Sequence, residues 1–137
     1  MFIIDTNVIS ELRKRAHADR KVLAWADNAD HELFYLSSIT VFEVRYGALR
    51  VQRRDKLQGG LMLEWLQRDI LDAFAGRILP IDTNVATECA ALHLPDPKPE
   101  RDAFIAATAL VHNLTVVTRN VRDFEPMGVR VVNPWEA

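Results

Sequence analysis

Four carboxylates in this chain sit where the local pattern gives them more than a surface role. Asp5 follows Phe2-Ile3-Ile4, an apolar run without polar alternation that reads as a strand buried on both faces. Val8, Ile9 and Leu12 then fall at helical spacing, so Asp5 stands where a central strand stops and a helix starts. In open α/β sheets that junction borders the crevice where ligands bind. A helix cap explains Asp5 as well, with its carboxylate accepting from the backbone of Asn7 or Val8. Glu43 shares a helical face with Ile39 and Tyr46, and the positions one turn away hold Ile39, Tyr46 and Gly47 rather than a cation. A carboxylate in such company is costly, which implies a distant arginine or something positive that binds. Asp102 lies in the first turn of a helix opening at Glu100, where the macrodipole favours an acid, yet it belongs to the inward row of Ile105 and Ala106. Asp123 closes a polar loop, 118–124, that leaves an uncharged strand.

If the sheet is doubly wound, all four acids fall at its carboxyl edge. Carboxylates gathered there repel at neutral pH, and the repulsion is relieved by raised pKa values or by a divalent cation. An all-oxygen site suits Mg²⁺ or Mn²⁺ rather than zinc. The histidines, His17, His31, His93 and His112, show no ligand spacing with one another or with Cys89.

The elements that must position these acids alternate along the chain. Strands are expected over 2–4, 33–36, 77–81, 114–118 and 129–132, and helices over 6–13, 19–29, from Ser37 or Ser38 through Leu49, and over 100–112. Such alternation implies a mainly parallel sheet covered on both faces. A charged amphipathic stretch over 53–74, interrupted by Gly59-Gly60, carries Leu57, Leu61, Trp65, Leu66, Ile70 and Leu71 on one stripe. The pentapeptide Ile81-Asp82-Thr83-Asn84-Val85 repeats residues 4–8 letter for letter. Two matches of five residues mark a second strand-to-helix junction rather than a duplicated domain, and Asp82, behind Pro80 and a peripheral strand, reads as a cap. Three prolines in 93–99 require a loop.

The 137 residues fit one domain, 1–137, able to bury about two-thirds of its unfolded surface. One cysteine, Cys89, excludes an intrachain disulfide and suits a buried thiol in a reducing compartment. The start lacks the pattern of a signal peptide, and no apolar run approaches the ~20 residues of a membrane span, so a cytoplasmic location is expected. Net charge is −2, which advertises no general affinity for nucleic acid. Local clusters, Arg13-Lys14-Arg15, Arg20-Lys21 and Arg50 with Arg53-Arg54-Lys56, could touch phosphates, although such runs are commonly solvated helix ends.

In four pieces, Ile3-Ile4-Asp5-Thr6-Asn7, Ser37-x-x-Thr40-x-x-Glu43, Asp102-x-x-Ile105-Ala106-Ala107 and Thr118-Arg119-Asn120-x-x-Asp123-Phe124, the chain resembles the PIN-domain ribonucleases. It is most similar to the VapC-like toxins of type II toxin–antitoxin pairs, including the FitB-type subgroup, and the likeness covers nearly the whole chain. The resemblance implies an α/β, PIN-like three-layer fold with a mainly parallel central sheet of four to five strands flanked by helices. It implies a metal-dependent endoribonuclease whose acids are Asp5, Glu43, Asp102 and Asp123, with Asn7, Thr118 and Asn120 as supporting polar positions. Asp5, Asp102 and Asp123 would hold one or two Mg²⁺ or Mn²⁺ ions that activate water against an RNA phosphodiester, and Glu43 would hold water or act as base. Arg119, Arg122 or the loop near Arg13 would contact the RNA backbone.

The resemblance also implies a homodimer silenced by a cognate antitoxin whose tail lies over the helices beside the site. Leu57, Leu61 and Trp65, with Tyr46 and Leu49, are a candidate groove for that tail or else internal core. Two other readings stay open. One is an aspartyl-phosphate phosphohydrolase with Asp5 as nucleophile, against which stand Asn7 two residues on and the lack of an obvious phosphate-gripping lysine. The other is a module that holds RNA or a protein partner without cutting.

Overall fold

The computed structural model describes residues 1–137. Strands β1 (Phe2–Ile4), β2 (Phe34–Ser37), β3 (Ile78–Leu79), β4 (Thr115–Val117) and β5 (Val131–Val132) form one sheet in the order β3-β2-β1-β4-β5. Every pairing is parallel. Helices α1 (Thr6–Arg13), α2 (Arg20–Asn28), α3 (Ser38–Arg54), α4 (Lys56–Trp65), α5 (Thr83–Leu92), α6 (Glu100–His112) and α7 (Val121–Phe124) make the crossovers and cover the sheet. The three-layer α/β arrangement expected from the alternating pattern is the one observed.

The central strand explains the layers. Successive side chains of a strand point to opposite faces. Ile3 and Val116 therefore enter one core, with Val85, Ala103, Ile105, Ala106 and Phe124. Ile4 and Val117 enter the other, with Val8, Val22, Leu36, Leu66 and Ile70. A strand with core on both sides has no use for polar alternation, which is why the opening run is apolar throughout. Small residues in α6, Ala103, Ala106 and Ala107, are fully buried and let that helix approach the sheet closely.

Acids and serines at the junctions cap the helices as their types imply. The Ser37 hydroxyl accepts from the Ile39 N–H at 3.1 Å, Asp19 from Lys21 at 2.8 Å, and Asp82 from Val85 at 3.0 Å. Strand boundaries are shorter than expected: Leu33 ends a 3₁₀ turn capped by Asp30, β3 keeps two residues of 77–81, and β5 keeps two of 129–132. Edge strands pair on one side only, so their ladders end early.

The stretch 53–74 departs most from expectation. Gly59-Gly60 does not interrupt it; α3 runs on to Arg54, the break falls at Asp55, and α4 passes through both glycines before widening to a π-helical turn, Leu66–Asp72. Asp55 caps α4 by accepting from Gln58 N–H at 3.0 Å. Gly59 serves packing instead: a Cβ there would lie 2.4 Å from the Gln52 Cα, so only a hydrogen lets α4 fold back against α3. The apolar stripe consequently divides. Leu66 and Ile70 are core, Trp65 is half-buried, and Leu57 and Leu61 remain exposed. No helix is long and apolar enough to cross a membrane.

Gly59→Ala is expected to destabilise the protein by about 1–3 kcal/mol through overpacking. Gly60→Ala, with nothing within 4 Å of the added carbon, should stabilise it by roughly 0.5–1 kcal/mol through helix propensity. Thermal melts of the two single variants, moving in opposite directions, check the contrast.

Candidate functional site

Because the strands are all parallel, β1, β2 and β4 end at one edge, and α1 and α3 begin there. Helix α6 leads into β4 and runs back across the sheet, so its N-terminus lies at the same edge. This topology brings residues from positions 5, 43, 102 and 123 toward one another.

The pairing of Ile4 with Val117 sets Asp5 beside Thr118, and Asp5 N–H donates to the Val117 carbonyl at 2.9 Å. Asp5 is only 4% exposed. Its Oδ1 accepts from Thr6 N–H at 2.8 Å, which makes it the cap of α1, through Thr6 rather than the Asn7 or Val8 backbone. Its Oδ2 accepts from the Thr118 hydroxyl at 2.7 Å and from Asn7 Nδ2 at 3.3 Å. Capping and site membership are thus compatible, because each oxygen serves one of them. Asn7 also spans to Thr118 Oγ1 at 3.3 Å and accepts from Arg119 N–H at 3.3 Å. Asn120 enters through its backbone, whose N–H donates to Thr118 Oγ1 at 2.9 Å.

Glu43 is not unpartnered. The Thr6 hydroxyl donates to its Oε1 at 2.8 Å, and Arg101 Nη1 stands 3.7 Å from its Oε2. Its helical neighbours hold no cation, as expected, but the next element over does. Glu43 lies at the rim, with 22% of its side chain exposed, and Tyr46 on the same face is exposed rather than interior. Thr6 and Arg101 were not singled out from the sequence. Thr6 lies between two residues that were, and its hydroxyl also reaches buried Thr40 at 3.4 Å, so the spacing Thr40-x-x-Glu43 was a usable signal. Nothing local marked Arg101, whose partner is 58 positions away.

Asp102 lies in the first turn of α6 and its pKa is raised to about 7. Burial is the main cause, followed by the negative charges of Asp5, Asp123 and Glu43. Asp5 is raised too, chiefly by burial, with the Thr118 and Thr6 hydrogen bonds pulling the other way and Glu43 and Asp123 adding to the rise. Asp123 does not close a loop; it sits exposed in the helical turn α7, whence its charge is felt by Asp5 and Asp102.

The four acids share one field, yet no three of them stand close enough to form a ready ligand group. A hydrated hard cation asks for less: Mg²⁺ keeps several waters and takes one or two carboxylates directly. The donor set therefore fits Mg²⁺ or Mn²⁺, being all oxygen and carrying more negative charge than it can hold ionised at neutral pH. Of the expected backbone-contacting cations, Arg119 lies over the Trp135 ring, Arg13 over Trp65, and Arg15 is 3.7 Å from Asp69, while Arg122 is exposed. A cavity of about 440 Å³ opens between α1, α2 and the π-helical turn, and none of the four acids lines it.

Thr118→Val keeps the shape but removes the donor to Asp5, which should cost about 1–3 kcal/mol at neutral pH. The penalty falls on the ionised carboxylate, so it should shrink as Asp5 protonates in acid; denaturant titrations at two pH values test this. For Asp102 the folded pKa exceeds the unfolded value of 3.8, so its contribution is fully present below pH 4 and is lost as pH rises toward about 7. A bound cation favours the ionised form, so Mg²⁺ or Mn²⁺ should raise Tm more at pH 7.5 than at pH 5.5, and Asp102→Asn should flatten that difference.

The sequence pattern of the PIN domain matches residues 2–128. A Sinorhizobium fredii protein named VapC ribonuclease Y4jK is 41% identical, over 99% of this chain and 99% of its own. The crystal structure of FitAcB from Neisseria gonorrhoeae superposes with a TM-score of 0.90 at 39% identity, covering 100% of each chain. A toxin–antitoxin complex from Klebsiella pneumoniae gives a TM-score of 0.71 at 28% identity, again over 100% of each chain. Likeness of this extent, carried by a sheet of this topology, leaves one assignment: the chain belongs to the PIN-domain family, within its VapC-like, FitB-type branch.

Proposed function

We propose that this chain, acting as one domain over 1–137, is a Mg²⁺- or Mn²⁺-dependent endoribonuclease and the toxin of a type II toxin–antitoxin pair. The observation that carries the reading is the gathering of the acids at one sheet edge: Asp102, at the start of α6, has its pKa raised to about 7 by burial first and then by the charges of Asp5, Asp123 and Glu43. Such crowding serves no evident structural end, whereas acids in a common field are what a hard cation and a phosphodiester require. The names of the similar proteins, a VapC ribonuclease and a toxin–antitoxin complex, support the same activity and the same kind of partner.

Asp5, Asp102 and Asp123 are the residues that would hold the ion, with Glu43 beside them. When bound, the ion supplies Lewis acidity at the scissile phosphate and offsets the negative charge that would repel RNA. Thr118 and Asn7 fix the orientation of Asp5 through its Oδ2. Thr6 holds Glu43 through Oε1, so Oε2, which faces Arg101 at 3.7 Å, is the oxygen that would take a proton from the attacking water. An aspartyl nucleophile is disfavoured: Asn7 stands two residues on where a second acid would be required, and its amide donates to Asp5 Oδ2 at 3.3 Å. As to partners, the cavity lined by Trp25, Phe34 and Trp65 and by Arg13, Arg15 and Arg77, against the acids Asp27 and Asp69, suits the apolar anchor and acidic flank of an antitoxin tail, with the toxin itself a homodimer. The stripe through Leu57 and Leu61, exposed together with Tyr46 and Leu49, is the other candidate groove for that tail.

Purified, antitoxin-free protein should cleave RNA with Mg²⁺ or Mn²⁺ and stop in EDTA. Asp5→Asn and Asp102→Asn should abolish cutting, and Glu43→Gln should lower kcat by roughly 10²–10⁴. Gel assays on end-labelled RNA read the outcome. Equal cutting by the parent and the Asp variants would overturn the proposal, as would RNA binding without cleavage under every metal tried.

A further inference from the structure

We propose that Arg101 is a positioning residue for Glu43: it holds one carboxylate oxygen in place and restrains that oxygen from becoming a ligand of the ion, so that Glu43 serves as base. The inference rests on the nuclease reading above and deepens it by separating Glu43 from the acids that would hold the ion. Glu43 is fixed at both oxygens by helices other than its own. From α1 the Thr6 hydroxyl donates to Oε1 at 2.8 Å, and from α6 Arg101 Nη1 stands 3.7 Å from Oε2.

Arg101 is itself held. Its guanidinium lies 4.9 Å from the Phe42 ring centre and 5.8 Å from that of Tyr46. Those rings stand one turn apart on α3, with centroids 5.9 Å apart and planes within 10° of parallel, so they offer a seat to a planar cation. Arg50 lies 5.6 Å from the Tyr46 ring centre, and the seat is thus occupied by arginine at both ends. Folding does not explain this arrangement. The Arg101 side chain is 48% exposed, and an ion pair so open to water contributes little to stability. Its place on the helix is unfavourable as well: Arg101 lies in the first turn of α6, where the positive end of the macrodipole opposes a cation and Pro99 supplies no side-chain cap. What remains is its contact with the candidate base.

The two effects of Arg101 on the site have opposite signs. A hard cation takes carboxylate oxygens as ligands, and the charge of Arg101 repels it. Without Arg101 an ion should therefore bind more tightly, with Glu43 Oε2 free to turn toward it, while the reaction slows because the base is no longer placed. A folding defect would instead weaken both.

Arg101→Met removes the charge and keeps a good helix former. Mn²⁺ binding to the antitoxin-free protein without RNA, read from the electron paramagnetic resonance of free Mn²⁺, should tighten about twofold to fivefold. In the same variant kcat should fall roughly tenfold to a hundredfold with KM changed by less than about twofold, and the melting curve should stay where it is. Arg101→Lys should return Mn²⁺ affinity to the parental value but restore kcat only in part, because an ammonium does not stack as a planar guanidinium does. In a Glu43→Gln background, Arg101→Met should lower kcat no further, since its effect passes through Glu43. A further drop there, or a raised KM with unchanged kcat, would assign Arg101 to the RNA phosphate and overturn the proposal. Weaker Mn²⁺ binding with a lower Tm would make Arg101 structural and overturn it too. An absence of cleavage by the parent protein would fall on the nuclease reading, and the Mn²⁺ comparison, which needs no turnover, would still decide whether Arg101 restrains Glu43.

Discussion

The site depends on one short hydrogen bond between neighbouring strands, from the Thr118 hydroxyl to the buried carboxylate of Asp5 at 2.7 Å. It exists because β1 and β4 pair in the register that sets Ile4 beside Val117, and a slip by one residue would turn the core side chains of β1 to the opposite face. A carboxylate that is 4% exposed carries a large desolvation cost. The Thr118 hydroxyl and the Thr6 N–H offset part of that cost, and burial, with the charges of Glu43 and Asp123, still holds its pKa above the ordinary value. The same bonds fix where Asp5 points, so core register and site geometry are one constraint.

Around that anchor the acids are arranged by topology rather than by proximity in sequence. Parallel strands end at a common edge, and a helix that leads into a strand starts where its neighbours finish. Asp102 reaches the edge from the start of α6, Glu43 from the second turn of α3, and Asp123 from α7. Their repulsion is moderated unequally. Glu43 has the Thr6 hydroxyl and nearby Arg101, whereas burial and then three like charges raise the pKa of Asp102 to about 7. Arg101 is thus common to two surfaces, touching the acidic rim through Glu43 and the aromatic face through Phe42 and Tyr46.

Much of this was legible before any coordinates. The apolar run before Asp5, the caps at Ser37 and Asp82, and the alternation of strand and helix each follow from short-range rules. Boundaries were less legible, because edge strands stop when a neighbour stops, which is information held elsewhere in the chain. Gly59-Gly60 misled for a related reason. Glycine weakens a helix on average, but here its missing Cβ is what α3 requires of α4, at 2.4 Å from Gln52 Cα. Asp123 in a helical turn, rather than at the end of a loop, is a failure of the same kind.

The sequence by itself determined the class of fold, the central position of the first strand and the place of Asp5 at its end, because periodicity, capping and charge type are properties of neighbours along the chain. Only the tertiary structure decided that Thr6 would hold Glu43, that Arg101 would approach it from another helix, and that Trp65 would turn inward while Leu57 and Leu61 stayed in water. Those outcomes depend on how helices lie across a twisted sheet and how far side chains reach between them. Distances of that kind arise from packing, and no spacing along the chain encodes them.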